Sequence, residues 1–228
     1  MAYTYSSFKT ALAAALAVDE SDADFVALLP TIIDLTEQVC YRELDLVDAS
    51  VAVNGTATAN SRYFTLPTSS GHILVVDAVN TFDASNVRHP AVPATRDVID
   101  FVWPSDTAPS ATSVPQIFCR PDDTRLLFGP APGFAATVEI VGTIRPDPLS
   151  ASNTTTFLTS YLSDLFFAGA MMNAMGTLLR NFGAQADNPQ AAVSWQGVFT
   201  SLLASAQKEE LRKNYISAMS QPPASVKA

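Results

Sequence analysis

Few side chains in this sequence could do chemistry, and their spacing argues against most of it. The only histidines are His72 and His89. A metal site needs several ligands at workable spacing, and neither histidine has a second ligand nearby in an established pattern. His72 opens an apolar run and His89 stands before Pro90 in a loop. Thr68-Ser-Ser-Gly-His72 sets hydroxyls beside an imidazole, but a triad is defined by geometry rather than adjacency. A Gly/Ser turn ahead of a strand accounts for it. No G-x-S-x-G elbow appears. Gly142, Gly169, Gly176 and Gly183 make no phosphate loop, because no Lys-Ser/Thr follows a glycine cluster.

The carboxylates say the same. Asp122-Asp123-Thr124 lies between two strand-like runs, where Asp favours a hairpin turn through local hydrogen bonds. Glu37 and Glu43 could be offered as a glycosidase pair. Six residues along a helix turn the second about 600° from the first, so they leave on different faces. The expectation is therefore no catalytic residue, no metal, no cofactor and no enzymatic activity. Cys40 falls in a helical apolar pattern and Cys119 in a strand. Two cysteines are too few for a disulfide scaffold, and buried free thiols of a protein assembled in a reducing cytoplasm are expected.

These residues must be held by recognisable elements. Residues 5–17 read as an Ala-rich helix with Phe8, Leu12 and Leu16 on one face. A short, mostly polar stretch with one Lys precedes the apolar residues 11–18, which argues for an ordinary first helix rather than a signal peptide. Ser21 and Asp24 have capping-box spacing, opening a second helix that ends near Leu46. Pro30 inside it is expected to kink or split it. From Val51 the texture becomes strand-like. Asn54-Gly55 reads as a hairpin turn, several further strands follow, and one or two helical turns are expected between Thr95 and Trp103. Most of the fifteen prolines fall in this stretch, where they punctuate loops. Helical texture returns near Tyr161, in a segment with little polar face that closes at Phe182-Gly183. Asn188-Pro189 then caps a last helix with Val193, Trp195, Phe199, Leu202, Leu203 and Ala206 at three-to-four spacing. The expected class is α+β, a four-helix bundle of two N-terminal and two C-terminal helices with a β-rich insertion. The boundaries are 1–48, 49–150 and 151–219, with a tail at 220–228.

Hydrophobic residues make up 48% and charged residues 15% of the 228, the latter low against a typical ~25%. That points to surface buried by partners. The net charge of −9 is uneven, with nine acids against two bases in residues 1–50. Such a segment argues against binding nucleic acid by phosphate neutralisation. It suits either a solvated acidic face or a wall that DNA slides past. No run of about 20 apolar residues exists to span a membrane.

The chain resembles the phage adaptor proteins, the head-to-tail connectors of tailed bacteriophages. The likeness runs from Tyr3-Thr-Tyr-Ser-Ser-Phe8 through Asp22-Ala-Asp-Phe25, Ile32-Ile-Asp34 and Tyr41-Arg-Glu-Leu-Asp-Leu46. It continues with Arg96-Asp-Val-Ile-Asp-Phe101, Trp103-Pro104, Gly142-Thr-Ile-Arg-Pro146, Pro148-Leu-Ser150 and Asp164-Leu-Phe-Phe167. The resemblance implies a virion protein of the neck, made in the host cytoplasm. It would form a ring, usually of twelve copies, joining the portal to tail nozzle, tube or fibre proteins around double-stranded DNA. It implies that the last helix and tail reach the portal, with Lys208, Arg212, Lys213 and Tyr215 as docking residues. Asp34, Glu37 and Glu43 are the expected lumen-facing acids. The alternatives are another tail component, such as a terminator or nozzle, and a cell-wall hydrolase.

Overall fold

The computed structural model describes residues 2–178 and 189–220. The chain forms two compact units: residues 1–48 with 147–228, and residues 49–146.

In the first unit, α1 (Tyr5–Leu16) opens on a reciprocal capping box between Thr4 and Ser7. It buries Phe8, Leu12, Ala13 and Leu16. The N-cap of α2 (Ala23–Glu43) is Asp22, whose carboxylate accepts the Asp24 and Phe25 N–H groups. Ser21 instead bonds Asp19. The expected split at Pro30 does not occur, and one continuous helix runs through it. The same unit holds α4 (Phe157–Tyr161), α5 (Ser163–Asn173), a π-helical turn at Ala174–Leu178, and α6 (Pro189–Ser220). The apolar sequence of α5 is buried on most sides, including Leu165, Phe166, Ala168, Gly169, Ala170 and Met171. Gly169 is where its backbone meets two neighbours: a Cβ there would lie 2.7 Å from the Thr36 methyl of α2 and 2.9 Å from the Phe199 ring of α6. The expected helix closure at Phe182-Gly183 and the tail beyond residue 220 lie outside the described residues.

The second unit is a seven-stranded mixed sheet in the order β1-β7-β3-β4-β5-β6-β2. Its strands are β1 (Ser50–Ala57), β2 (Tyr63–Thr65), β3 (His72–Phe82), β4 (Arg88–Pro93), β5 (Ile117–Asp122), β6 (Arg125–Gly129) and β7 (Ala136–Arg145). All pairings are antiparallel except β4 with β5. A short helix, α3 (Arg96–Val102), follows β4. Burial along β7 alternates with period two, sending Ala136, Val138, Ile140 and Ile144 inward. Val138, Ile140 and Ile144 join Phe64, Ile73, Val79, Phe118, Leu126 and Phe128 in one apolar core.

The expected fold class is thus corrected. The described residues hold six α-helices and a seven-stranded mixed sheet with its own large core, a mixed α/β protein rather than a four-helix bundle. Helical periodicity at both ends of the sequence suggested a bundle. What it left out is that the strands pair into one continuous sheet with enough apolar alternation to close a core without the helices.

Asn54-Gly55 is also corrected, since both residues lie inside β1, paired with Glu139 and Val138. Gly55 serves a close approach instead of a turn: a Cβ there would sit 2.7 Å from the Phe64 ring. Gly142 plays a similar part on β7. Opposite it, β3 is irregular between Ile73 and Val75 and again between Val76 and Ala78. A Cβ on Gly142 would lie 2.1 Å from the Val75 carbonyl oxygen. Arg120 fastens the same stretch by donating to the carbonyls of Ile73 and Leu74. Gly142→Ala should therefore destabilise the sheet by about 1–3 kcal/mol, because the obstructing atom is backbone. Urea denaturation of the variant tests this, with an unchanged midpoint as the contrary result.

Candidate functional site

The sequence points to no reacting centre, so the candidate site is a surface, and α6 supplies most of it. Pro189 takes the first helical position, where its missing N–H is not needed. Trp195, Phe199, Leu202, Ala206 and Glu210 follow at spacings of three and four, which puts them on one face. Phe199, Ala206 and Glu210 are buried, and Trp195 and Leu202 are half-buried. Phe199 therefore closes the unit's own core. Trp195 and Leu202, with Tyr3, Phe167 and Val198, line an apolar groove of about 320 Å³ with Asp164 at its polar side. The Phe167 and Trp195 rings meet edge to face at 6.1 Å.

The end of α6 carries the four docking candidates, and they differ. Lys208, Arg212 and Tyr215 are exposed. Lys213 is engaged within the chain. Its ammonium lies 2.6 Å from Glu210 Oε1 and 3.1 Å from Glu209 Oε1, and 5.6 Å from the centre of the Phe157 ring. The hydrogen bond to Glu210 leads in holding the Lys213 ammonium above the usual lysine range. Glu210 itself is only 2% exposed. Gln207 and Asn214 donate to the carbonyls of Glu43 and Asp45, so this part of α6 is tied to the end of α2.

The three expected lumen acids also separate. Asp34 and Glu43 are exposed. Glu37 is 4% exposed, and its Oε1 accepts the Leu149 N–H at 3.2 Å. Burial pushes its carboxyl up to about 7. The bond from Leu149 opposes the rise and the nearby Asp34 charge adds to it. Cys40, one turn on, is buried and has its thiol pushed up to about 12 by burial, which makes it inert at neutral pH. The helical period separates Glu37 from Glu43 as expected, and the reading of both as lumen-facing missed the burial of Glu37. The position of Glu37 on the Phe25-Leu29-Ile33 face was the available signal.

On the second unit, α3 presents Val98, Phe101 and Val102 to solvent, with Phe101 87% exposed. Ile99 is its buried residue. Arg62 anchors the helix, bonding Asp100, Asp106 and the Trp103 carbonyl oxygen. His89 pairs with Asp83 at 3.0 Å, an association the sequence reading did not foresee. Asp122 caps the β5–β6 turn, accepting from the Thr124 N–H and hydroxyl and from Arg125. The Thr124 hydroxyl bond leads in lowering its carboxyl to about 2.

Among the described residues, no group of three or more His, Cys, Asp or Glu could hold a metal ion. No helix among them is long and apolar enough to cross a membrane. The family model described as SU10 adaptor protein matches residues 3–224. No curated protein matches the chain significantly.

Proposed function

Since the chain belongs to the SU10 adaptor protein family, a phage adaptor family whose members are structural parts of the virion, we propose that it is the head-to-tail adaptor of the neck. In this reading copies of the chain, twelve in number, form a ring below the portal. The ring joins the portal to nozzle, tube or fibre proteins and surrounds the DNA channel, and it acts without catalysis or cofactor. The chain is made in the host cytoplasm and becomes part of the particle. The observation that carries the reading is the family match over residues 3–224.

Features of both units support it. A ring needs heterologous contacts between copies, and the groove at Tyr3, Phe167 and Trp195 offers apolar surface to bury. A half-exposed aromatic side chain there contributes on the order of 1–2 kcal/mol when covered. Lys208, Arg212 and Tyr215 project from the end of α6 and serve as portal contacts. Lys213 contributes less, because Glu209 and Glu210 already hold it. Exposed Asp34 and Glu43 give the channel negative potential that discourages DNA adhesion. Glu37 leaves that set because it is buried. Phe101 and its neighbours on α3 suit a contact with tail components.

Electron microscopy of intact particles tests the reading by locating this chain relative to the portal. A position in a ring against the portal is expected, and absence from every particle overturns it. Lys208→Glu combined with Arg212→Glu should weaken portal binding at least tenfold and leave the fold intact. Truncation after Asn214 should abolish that binding, and a truncated chain that still builds necks removes the portal assignment.

A further inference from the structure

The β-rich unit contains a recess that the adaptor reading does not use. It measures about 780 Å³, within the range of about 300–1,000 Å³ common for small-molecule sites. Its walls include Trp103, the Asp83–His89 pair, Ser85, Ser110 and Gln116. Rigid backbone frames it, with Pro90, Pro109, Pro115 and Pro130 along the lining.

The structure holds the indole in place. Arg62 donates to the Trp103 carbonyl oxygen at 2.7 Å. Gly129 lies against the ring, so close that a Cβ would come within 2.7 Å of Trp103 Cε3. Asp83 accepts the Ser85 and Val87 N–H groups through Oδ1 and meets His89 Nε2 with Oδ2. That bond leads in drawing the Asp83 carboxyl below its ordinary value, so it is ionised at neutral pH. The imidazole is thereby oriented, with its other nitrogen left over. The Trp103 indole N–H, the Gln116 amide and the Ser85 hydroxyl make no hydrogen bond among the described residues, so their donors and acceptors are available.

We propose that this recess binds a neutral oligosaccharide, with the Trp103 indole as the platform for a pyranose ring and Gln116, Ser85 and the His89–Asp83 pair as partners for its hydroxyls. The C–H face of a sugar is flat and apolar, and an aromatic ring matches it. Its edge presents hydroxyls that both donate and accept, as amide, hydroxyl and imidazole groups do. No Lys or Arg lines the recess, which disfavours phosphate, nucleic acid and other anionic ligands. A proline-rich peptide would use an aromatic groove but would leave this density of polar groups without partners.

Saturation-transfer NMR on the full chain tests the proposal, with a panel of neutral trisaccharides of glucose, galactose, mannose and N-acetylglucosamine. Transfer to the ring protons of at least one member is expected. Trp103→Ala should weaken that binding at least tenfold. Gln116→Ala, at an exposed side chain, should weaken it at least threefold with an unchanged melting curve, so that loss of ligand is separable from loss of fold. Silence across the panel overturns the proposal. So does binding that persists undiminished in both variants, or a proline-rich peptide taking the recess while no saccharide does.

Discussion

Phe8→Ala should lower the stability of the helical unit by about 3–5 kcal/mol, the range for emptying a buried aromatic position. Phe8 is fully buried and stands at the centre of a ring cluster. Its centroid lies 4.8 Å from Phe166, 5.9 Å from Tyr3 in an edge-on arrangement, and 6.4 Å from Phe167. The substitution removes the burial, leaves a cavity lined by aromatic rings, and deletes the ring pairs. It also acts on a helix with little stability of its own. At 12 residues, α1 is at the margin for an isolated helix in water. Its other ties to the unit include two backbone bonds, from Tyr3 N–H to the Thr159 carbonyl and from Tyr5 N–H to the Thr154 carbonyl. Phe8→Leu keeps much of the volume and should cost about 1–2 kcal/mol. Urea denaturation followed by far-ultraviolet circular dichroism distinguishes the two. A loss below about 1 kcal/mol for the alanine variant would mean that the ring cluster does not hold α1.

The second large effect is a pH dependence. Glu37 has its folded carboxyl pushed up to about 7 from an ordinary 4.5, so the native state binds a proton there more tightly than the unfolded chain does. The stabilisation linked to that proton is complete below about 4.5 and is lost as the pH rises towards 7. Above 7 the ionised carboxylate sits in an apolar interior, with Asp34 the charge that adds to its cost. The whole swing is about 3 kcal/mol, from about 1.4 kcal/mol per pH unit of displacement. Glu37→Gln keeps an oxygen for the Leu149 N–H and cannot ionise. It should be the more stable form at pH 8, with its advantage growing steadily from pH 4.5 to pH 7. Thermal unfolding of both proteins at several pH values checks this. Parallel pH profiles would show that Glu37 ionises in the folded protein as it does in the unfolded chain. The lowered carboxyls of Asp19, Asp83 and Asp122 act in the opposite sense and in a separate window, since their contribution fades only as the pH falls below about 4.

Local pattern was legible wherever a short segment fixes its own geometry. The four-residue recurrence of Phe8, Leu12 and Leu16 gave α1, and Asp122-Asp123-Thr124 gave its turn. Likewise Pro189 opens α6 and a short helix does precede Pro104. Errors arose where one residue type serves two geometries. Glycine at position 55 permits a turn and equally permits the Phe64 ring to pack close against a strand. Proline at position 30 removes one N–H, and of the two outcomes expected there the split into separate helices does not occur. The fold class failed for a related reason. Strand pairing is non-local, and the partnership of β1 with β7 joins residues 79 to 93 positions apart. Spacing alone likewise did not show the Leu149 N–H that meets Glu37 from 112 positions away, or set His89 beside Asp83, which follows from how the β3–β4 turn closes.

The division of the chain into an uninterrupted stretch at 49–146 and a body made from residues 1–48 with 147–228 governs what happens during translation. As the polypeptide leaves the ribosome, the β-rich stretch is complete while the last helices are still unsynthesised. The greasy faces of α1 and α2, Phe8 and Phe25 among them, must therefore wait for α5 before they have anything to pack against. The nascent chain spends that interval with its earliest helices bare, which makes them the segment a holding chaperone would grip.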